Sequence, residues 1–144
     1  MSPEDELREI MDKTEAALGC LVEGDPEPFK ALFSHAPDVT VFGGFGGFAR
    51  GWEQVSENTS FAARRFSGCQ SFKVELLASG MSGDLAYAIW IERGQVQVVG
   101  KEDFAPLVVR VTHLFRREDG AWKLIHRHGD TVVEKVEATA ILQK

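Results

Sequence analysis

The sequence predicts an α+β fold, with N-terminal helices packed on a strongly curved, mostly antiparallel sheet that forms a cone-shaped barrel. Three observations carry this expectation. Apolar residues recur at helical spacing through the first part of the chain. Runs of strand composition, broken by turn residues, fill the second half. Two of those runs flank Glu118-Asp119-Gly120, a hairpin signal. Helices in one block and strands in the next place the helices on one face of the sheet. A strongly twisted sheet closed by helices encloses a cone, with core at one end and a cavity at the other.

The 144 residues fit a single domain, 1–144, because no linker, repeat or low-complexity tract divides them. Hydrophobic residues make up 44% and charged residues 26%, an ordinary balance for a globular protein. The net charge of −6 argues against a nucleic-acid partner, which needs clustered Lys and Arg. No apolar run approaches the roughly 18 residues of a membrane span. The acidic start MSPEDELRE lacks the basic end and apolar core of a signal peptide, so the expected location is cytoplasmic. Cys20 and Cys69 have no CxxC spacing and read as two buried thiols in a reducing compartment.

Helix comes first. Ser2 can cap it, Pro3 suits its first position, and Asp5 completes an approximate capping box. Leu7, Ile10, Met11, Thr14, Ala17, Leu18 and Leu21 then form one apolar stripe, ending near Gly24. Asp25-Pro26 starts a short helix that Pro37 cannot continue. Val39 to Phe42 is a short strand, followed by the glycine-rich run Gly43 to Phe48. That run lacks the ending of a P-loop and the context of a dinucleotide fingerprint, so it is a flexible connection whose Phe45 or Phe48 can rim a cavity. Gly51 to Phe66 is a third helix. Strands follow at Ser71–Ser79 and at Leu85–Arg93, the second extending to Val99 if Gly94 does not end it. Lys101 to Pro106 is a loop before the hairpin. Val132 to Leu142 fits either a last helix or a strand added to a partner.

The hairpin, VRVTHLFRREDGAWKLIHRHGD, holds three of the four histidines. If Gly120 forms a G1 bulge after a type I turn, Thr112 opposes His126 and Arg110 opposes His128. Arg110, Thr112, His126 and His128 then share one face, and Val109, Val111, His113, Phe115, Ile125 and Arg127 the other. A one-residue slip would instead bring Arg127 beside Thr112. Placed in a cavity, His126 and His128 can move a proton near neutral pH, and Arg110 can hold a carboxylate or stabilise an enolate. The expected partner is therefore a small organic molecule, anionic or carbonyl-bearing. Thr112, Trp90, Tyr87, Trp52, Phe45 and Arg127 are the candidate binding residues. Trp90 and Glu92 share one strand face, with Tyr87, Ile89 and Ile91 on the other; Glu92 is the acid nearest a pocket position. His126-x-His128 has no third donor nearby, so neither a metal nor any other cofactor is expected. No nucleophile motif is present.

The stretch RVTHLFRREDGAWKLIHRH resembles SnoaL-like proteins of the nuclear transport factor 2-like superfamily, which includes ketosteroid isomerase, limonene epoxide hydrolase and scytalone dehydratase. It is also similar to the association domain of calcium/calmodulin-dependent protein kinase. VFGGFGGFARGW and GDLAYAIWIERG are weaker echoes, and together the three span most of the chain. The resemblance implies a cone-shaped barrel, a homodimer through the outer sheet face, and a deep pocket where an acid, often with Tyr or His, transfers a proton. This chain departs from that pattern: its late strands offer no Asp at a clear inward position, and Tyr87 is its single tyrosine. By pattern, Thr112 takes the place of a pocket arginine of the kinase association domain. Three functions stay open: an isomerase, dehydratase or cyclase working without metal, a non-catalytic ligand-binding domain, and an oligomerisation module.

Overall fold

The computed structural model describes residues 1–143. Helix α1 spans Pro3–Leu21. Ser2 Oγ accepts the Asp5 amide at 3.1 Å and the Asp5 carboxylate accepts the Ser2 amide, the reciprocal box its sequence calls for. Its buried stripe is Leu7, Ile10, Thr14, Ala17, Leu18 and Leu21. Helix α2 is a single turn, Glu27–Lys30, and α3 runs Trp52–Ala63, shorter at both ends than its apolar pattern suggested.

Among the described residues six strands form one sheet: β1 Thr40–Phe42, β2 Ala49–Arg50, β3 Phe66–Ser82, β4 Leu85–Val98, β5 Ala105–Glu118 and β6 Ala121–Asp130. Their order is β2-β1-β6-β5-β4-β3. All neighbours are antiparallel except β1 and β6, where Thr40 pairs His126 in parallel. Register shifts interrupt β3 between Phe66 and Gly68, Cys69 and Ser71, and Leu76 and Ala78. Such bulges bend and twist a strand, which curls the sheet around the helices. β4 passes through Gly94 without a break. From Thr131 to Gln143 the tail forms neither a long helix nor a strand; it has one 3-10 turn, Ala138–Ile141, with no buried residue.

The concave face carries Ala86, Ala88, Trp90, Val109, Val111, Phe115 and Leu124 into a core shared with Leu18, Phe29, Phe33 and Val55. The hairpin differs from its expected turn. Glu118 pairs Ala121, and Asp119 and Gly120 have φ of 52° and 80°. This is the two-residue turn with both centres left-handed, whose twist suits the flanking strands better than a type I turn with a bulge. Asp tolerates that region and Gly occupies it freely. An irregularity then falls where Leu114 pairs His126 while Phe115 pairs Leu124, leaving Ile125 without a partner. Beyond it Thr112 opposes His128 and Arg110 opposes Asp130, two residues away from the expected pairs.

Candidate functional site

Between the concave face and the helices lies a cavity of about 280 Å³. Its wall is mostly apolar: Leu18, Val22, Phe29, Phe66, Phe72, Val96 and Val109, with Phe45 from the glycine-rich run and Asn58 and Ala62 from α3. Glu92 of β4 and Arg127 of β6 also line it. Alternation explains both: Glu92 follows Trp90 by two on the buried face of β4, and Arg127 pairs the fully buried His113.

Arg127 grips Glu92 through two parallel bonds, Nη1 to Oε2 at 2.8 Å and Nη2 to Oε1 at 2.9 Å. The side chains are only 3% (Glu92) and 13% (Arg127) exposed. Two neighbours hold the inner edge of this pair. Trp90 Nε1 donates to Glu92 Oε2 at 2.9 Å, and Arg127 Nη1 lies 3.0 Å from His113 Nε2. Because Arg can only donate, His113 Nε2 is the acceptor and its proton sits on Nδ1. That Nδ1 is buried without a partner. Burial, reinforced by the Arg127 and then the His126 charge, pushes the His113 imidazole well below its ordinary pKa, so it is neutral. The Arg127 guanidinium also lies 5.7 Å from the centre of the Phe29 ring.

The residues expected to form a polar cluster in the cavity are indeed together, but on the opposite face of the sheet. Arg110 is clamped by Asp130 through two 2.8 Å bonds, and His128 Nε2 is 3.6 Å from the same carboxylate. His126 Nδ1 meets Thr40 Oγ1 at 2.8 Å, and Phe42 stands edge-on to both imidazoles. Burial, the largest influence, lowers the His126 pKa. Thr112 pairs His128 on that face. The physical reason is the alternation itself: Val109, Val111 and Phe115 must face the core, which sends Arg110, Thr112 and their partners outward. Tyr87 likewise lies on the outer face, 40% exposed. Trp52 begins α3 and stacks on His35 at 4.1 Å, away from the cavity wall. Of the candidate binding residues, Phe45 and Arg127 line the cavity, and Trp90 supports Glu92 from behind. Asn58, Lys101 and Asp103 also contribute to the wall, and no motif marked them. Glu92 had a signal: an acid sharing a strand face with a tryptophan needs a buried cation, and Arg127 is the one on an apolar face.

The SnoaL-like domain family matches residues 10–134. The chain belongs to the SnoaL-like family. No curated protein matches this SnoaL-like chain by sequence. Solved structures share its fold. A nuclear transport factor 2-like protein from Salmonella enterica superposes with a TM-score of 0.77 at 19% identity, over 93% of this chain and 94% of its own. A ketosteroid isomerase-like protein from Erwinia carotovora gives 0.73 at 17%, over 90% and 98%. A dehydratase candidate of the nuclear transport factor 2-like family from Streptomyces avermitilis gives 0.67 at 17%, over 92% and 100%. Among the described residues, no helix of this SnoaL-like domain is long and apolar enough to cross a membrane. No group of three or more His, Cys, Asp and Glu among them is placed to hold a metal ion.

Proposed function

We propose that this SnoaL-like domain binds a small organic molecule, mostly apolar with one polar end, in the cavity between sheet and helices. One observation carries this: a buried, bidentate Glu92–Arg127 pair lies in the wall of an otherwise apolar cavity of about 280 Å³. Few polar groups converging in an apolar hollow are what fix a ligand's orientation. The test is a thermal-shift screen of small alcohols, amides, ketones and acids. A saturable rise in Tm that disappears in Ala62→Trp, which fills the cavity, supports the assignment. No rise with any compound removes it.

A second function, isomerase or lyase chemistry by proton transfer, is favoured by the position of Glu92. In this proposal the proton moves at Glu92 rather than at His126 or His128, which stand on the far face with Arg110 already engaged by Asp130. The carboxylate is oriented by Trp90 and Arg127, as a general base must be. Turnover of an enolisable ketone or a β-hydroxy carbonyl compound that persists in Glu92→Gln would remove this mechanism. We further propose a second copy of the chain as the partner of the outer face, where Leu85, Tyr87, Ile89 and Leu114 are exposed.

A further inference from the structure

We propose that the cavity takes a small hydrophobic carboxylic acid as its anion, with the carboxylate seated on a free edge of the Arg127 guanidinium. This rests on the cavity being a small-molecule site, as argued above.

The inference comes from following every N–H group of the guanidinium. Nη1 has two hydrogens, one on Glu92 Oε2 and one on His113 Nε2. Nη2 gives one hydrogen to Glu92 Oε1. Its second hydrogen and the Nε hydrogen have no partner among the described residues. These two donors are adjacent and parallel, on the side of the guanidinium away from His113. Such a pair matches the two oxygens of one carboxylate.

The free edge opens to the cavity. Among the described residues, the fully enclosed side-chain polar atoms that lack a partner are His113 Nδ1 and Trp122 Nε1. Arg127 Nε is not one of them, so it keeps accessible surface. Nη1 turns toward His113, whereas Nη2 lies on the Val109 side of β5. A Cβ on Gly129 would stand 3.4 Å from Nη2 and 3.2 Å from Val109 Cγ1. On β5 the cavity wall runs from Ala105 to Val109 and stops short of His113. Edge and hollow are therefore on the same side. Gly129, lacking a side chain, leaves Nη2 uncovered.

Glu92 holds the end of the guanidinium and leaves this edge clear. The two hydrogens of Nη2 diverge by about 120°, so an oxygen accepting the free one at the usual ~2.9 Å stands roughly 5 Å from Glu92 Oε1. Each carboxylate is then nearer to the guanidinium than to the other. Their remaining repulsion makes Glu92 a brake on affinity. The hydrocarbon part of the acid meets the apolar wall of Leu18, Val22, Phe66 and Phe72.

The test is calorimetric titration of the whole protein with octanoate, octanamide and 1-octanol at neutral pH. Octanoate should bind about tenfold or more tighter than the other two, the scale of a charge-assisted hydrogen bond over a neutral one. Glu92→Gln removes the second negative charge, and octanoate should tighten further while 1-octanol changes little. Arg127→Lys keeps a cation but loses the parallel donors, and the preference for octanoate should disappear. In Gly129→Ala, whose methyl crowds Nη2, octanoate should weaken more than 1-octanol. Octanoate binding to the wild type no tighter than octanamide or 1-octanol overturns the proposal while leaving the cavity a ligand site. Failure of all three to bind, together with a flat thermal-shift screen, removes the ligand site itself and the proposal with it. If a variant does not fold, the wild-type order of the three probes decides.

Discussion

His113 accepts a hydrogen bond from Arg127 across 3.0 Å, so a fully buried imidazole is kept neutral beside the cation it supports. This has a consequence for acid stability. The folded pKa of His113 lies below its unfolded value, so the unfolded chain takes up a proton first as pH falls. Stability is therefore full above the ordinary histidine pKa of about 6.5 and drains away below it, until the folded group also titrates. His126, lowered for the same reason, adds a loss of the same sign. Urea denaturation at pH 7.5 and 5 should show the drop, and His113→Gln should make it smaller. Parallel pH dependence in the variant would sink this account. The carboxylates Asp38, Glu118 and Asp130, lowered by their arginine partners, act in a separate window nearer their own ordinary pKa values.

The Glu92–Arg127 pair should be costly to break and cheap to replace. Glu92→Ala leaves the buried guanidinium without its counter-ion and Trp90 Nε1 without an acceptor, a loss of about 3–5 kcal/mol by analogy with other buried pairs. The double variant Glu92→Leu/Arg127→Met removes both charges and should recover most of that loss. Equilibrium unfolding of the three proteins measures it. A double variant no more stable than Glu92→Ala contradicts the expectation.

The hairpin turn gives a cleaner backbone test. Gly120 has φ of 80° and open space around its Cβ position, so Gly120→Ala carries only the left-handed penalty, about 1 kcal/mol. Gly44 has equally open space and no such φ, so Gly44→Ala should be near neutral. Equal effects at the two sites would mean the turn is not the one described.

The outer face predicts association. Leu85, Tyr87 and Ile89 are alternate residues on the outer face of β4, and Tyr87 pairs Leu114 of β5 directly. The protein should sediment as a dimer at micromolar concentration, and Ile89→Asp should shift it to monomer. Wild-type protein that sediments as a monomer removes the second copy as partner.

Much of the fold was legible in the chain because local signals agreed. The α1 box, the apolar stripe and the DG turn each point to one element. What escaped were features without local signals. β2 is two residues long, and the first part of β3, Ser67-Gly68-Cys69, has poor strand composition and lies between two register shifts. The site was half legible. Arg110, Thr112, His126 and His128 do share a face, as their spacing indicated. Which face turns inward was written in the other set, Val109, Val111 and Phe115, whose burial outweighs any wish to enclose the polar cluster. Glu92 and Arg127 are thirty-five positions apart, and only the path β4-β5-β6 brings them together.

Ile125 has a reach beyond its own packing. Trp122 and Leu124 face the core, so an uninterrupted strand would point His126 and His128 inward next and send Arg127 to water. The unpaired residue resets that phase. Deleting Ile125 keeps the present interior, whereas absorbing it into the ladder turns the pocket inside out, trading a carboxylate–guanidinium lining for two imidazoles. Two opposite chemistries are thus encoded in one strand, a single notch apart.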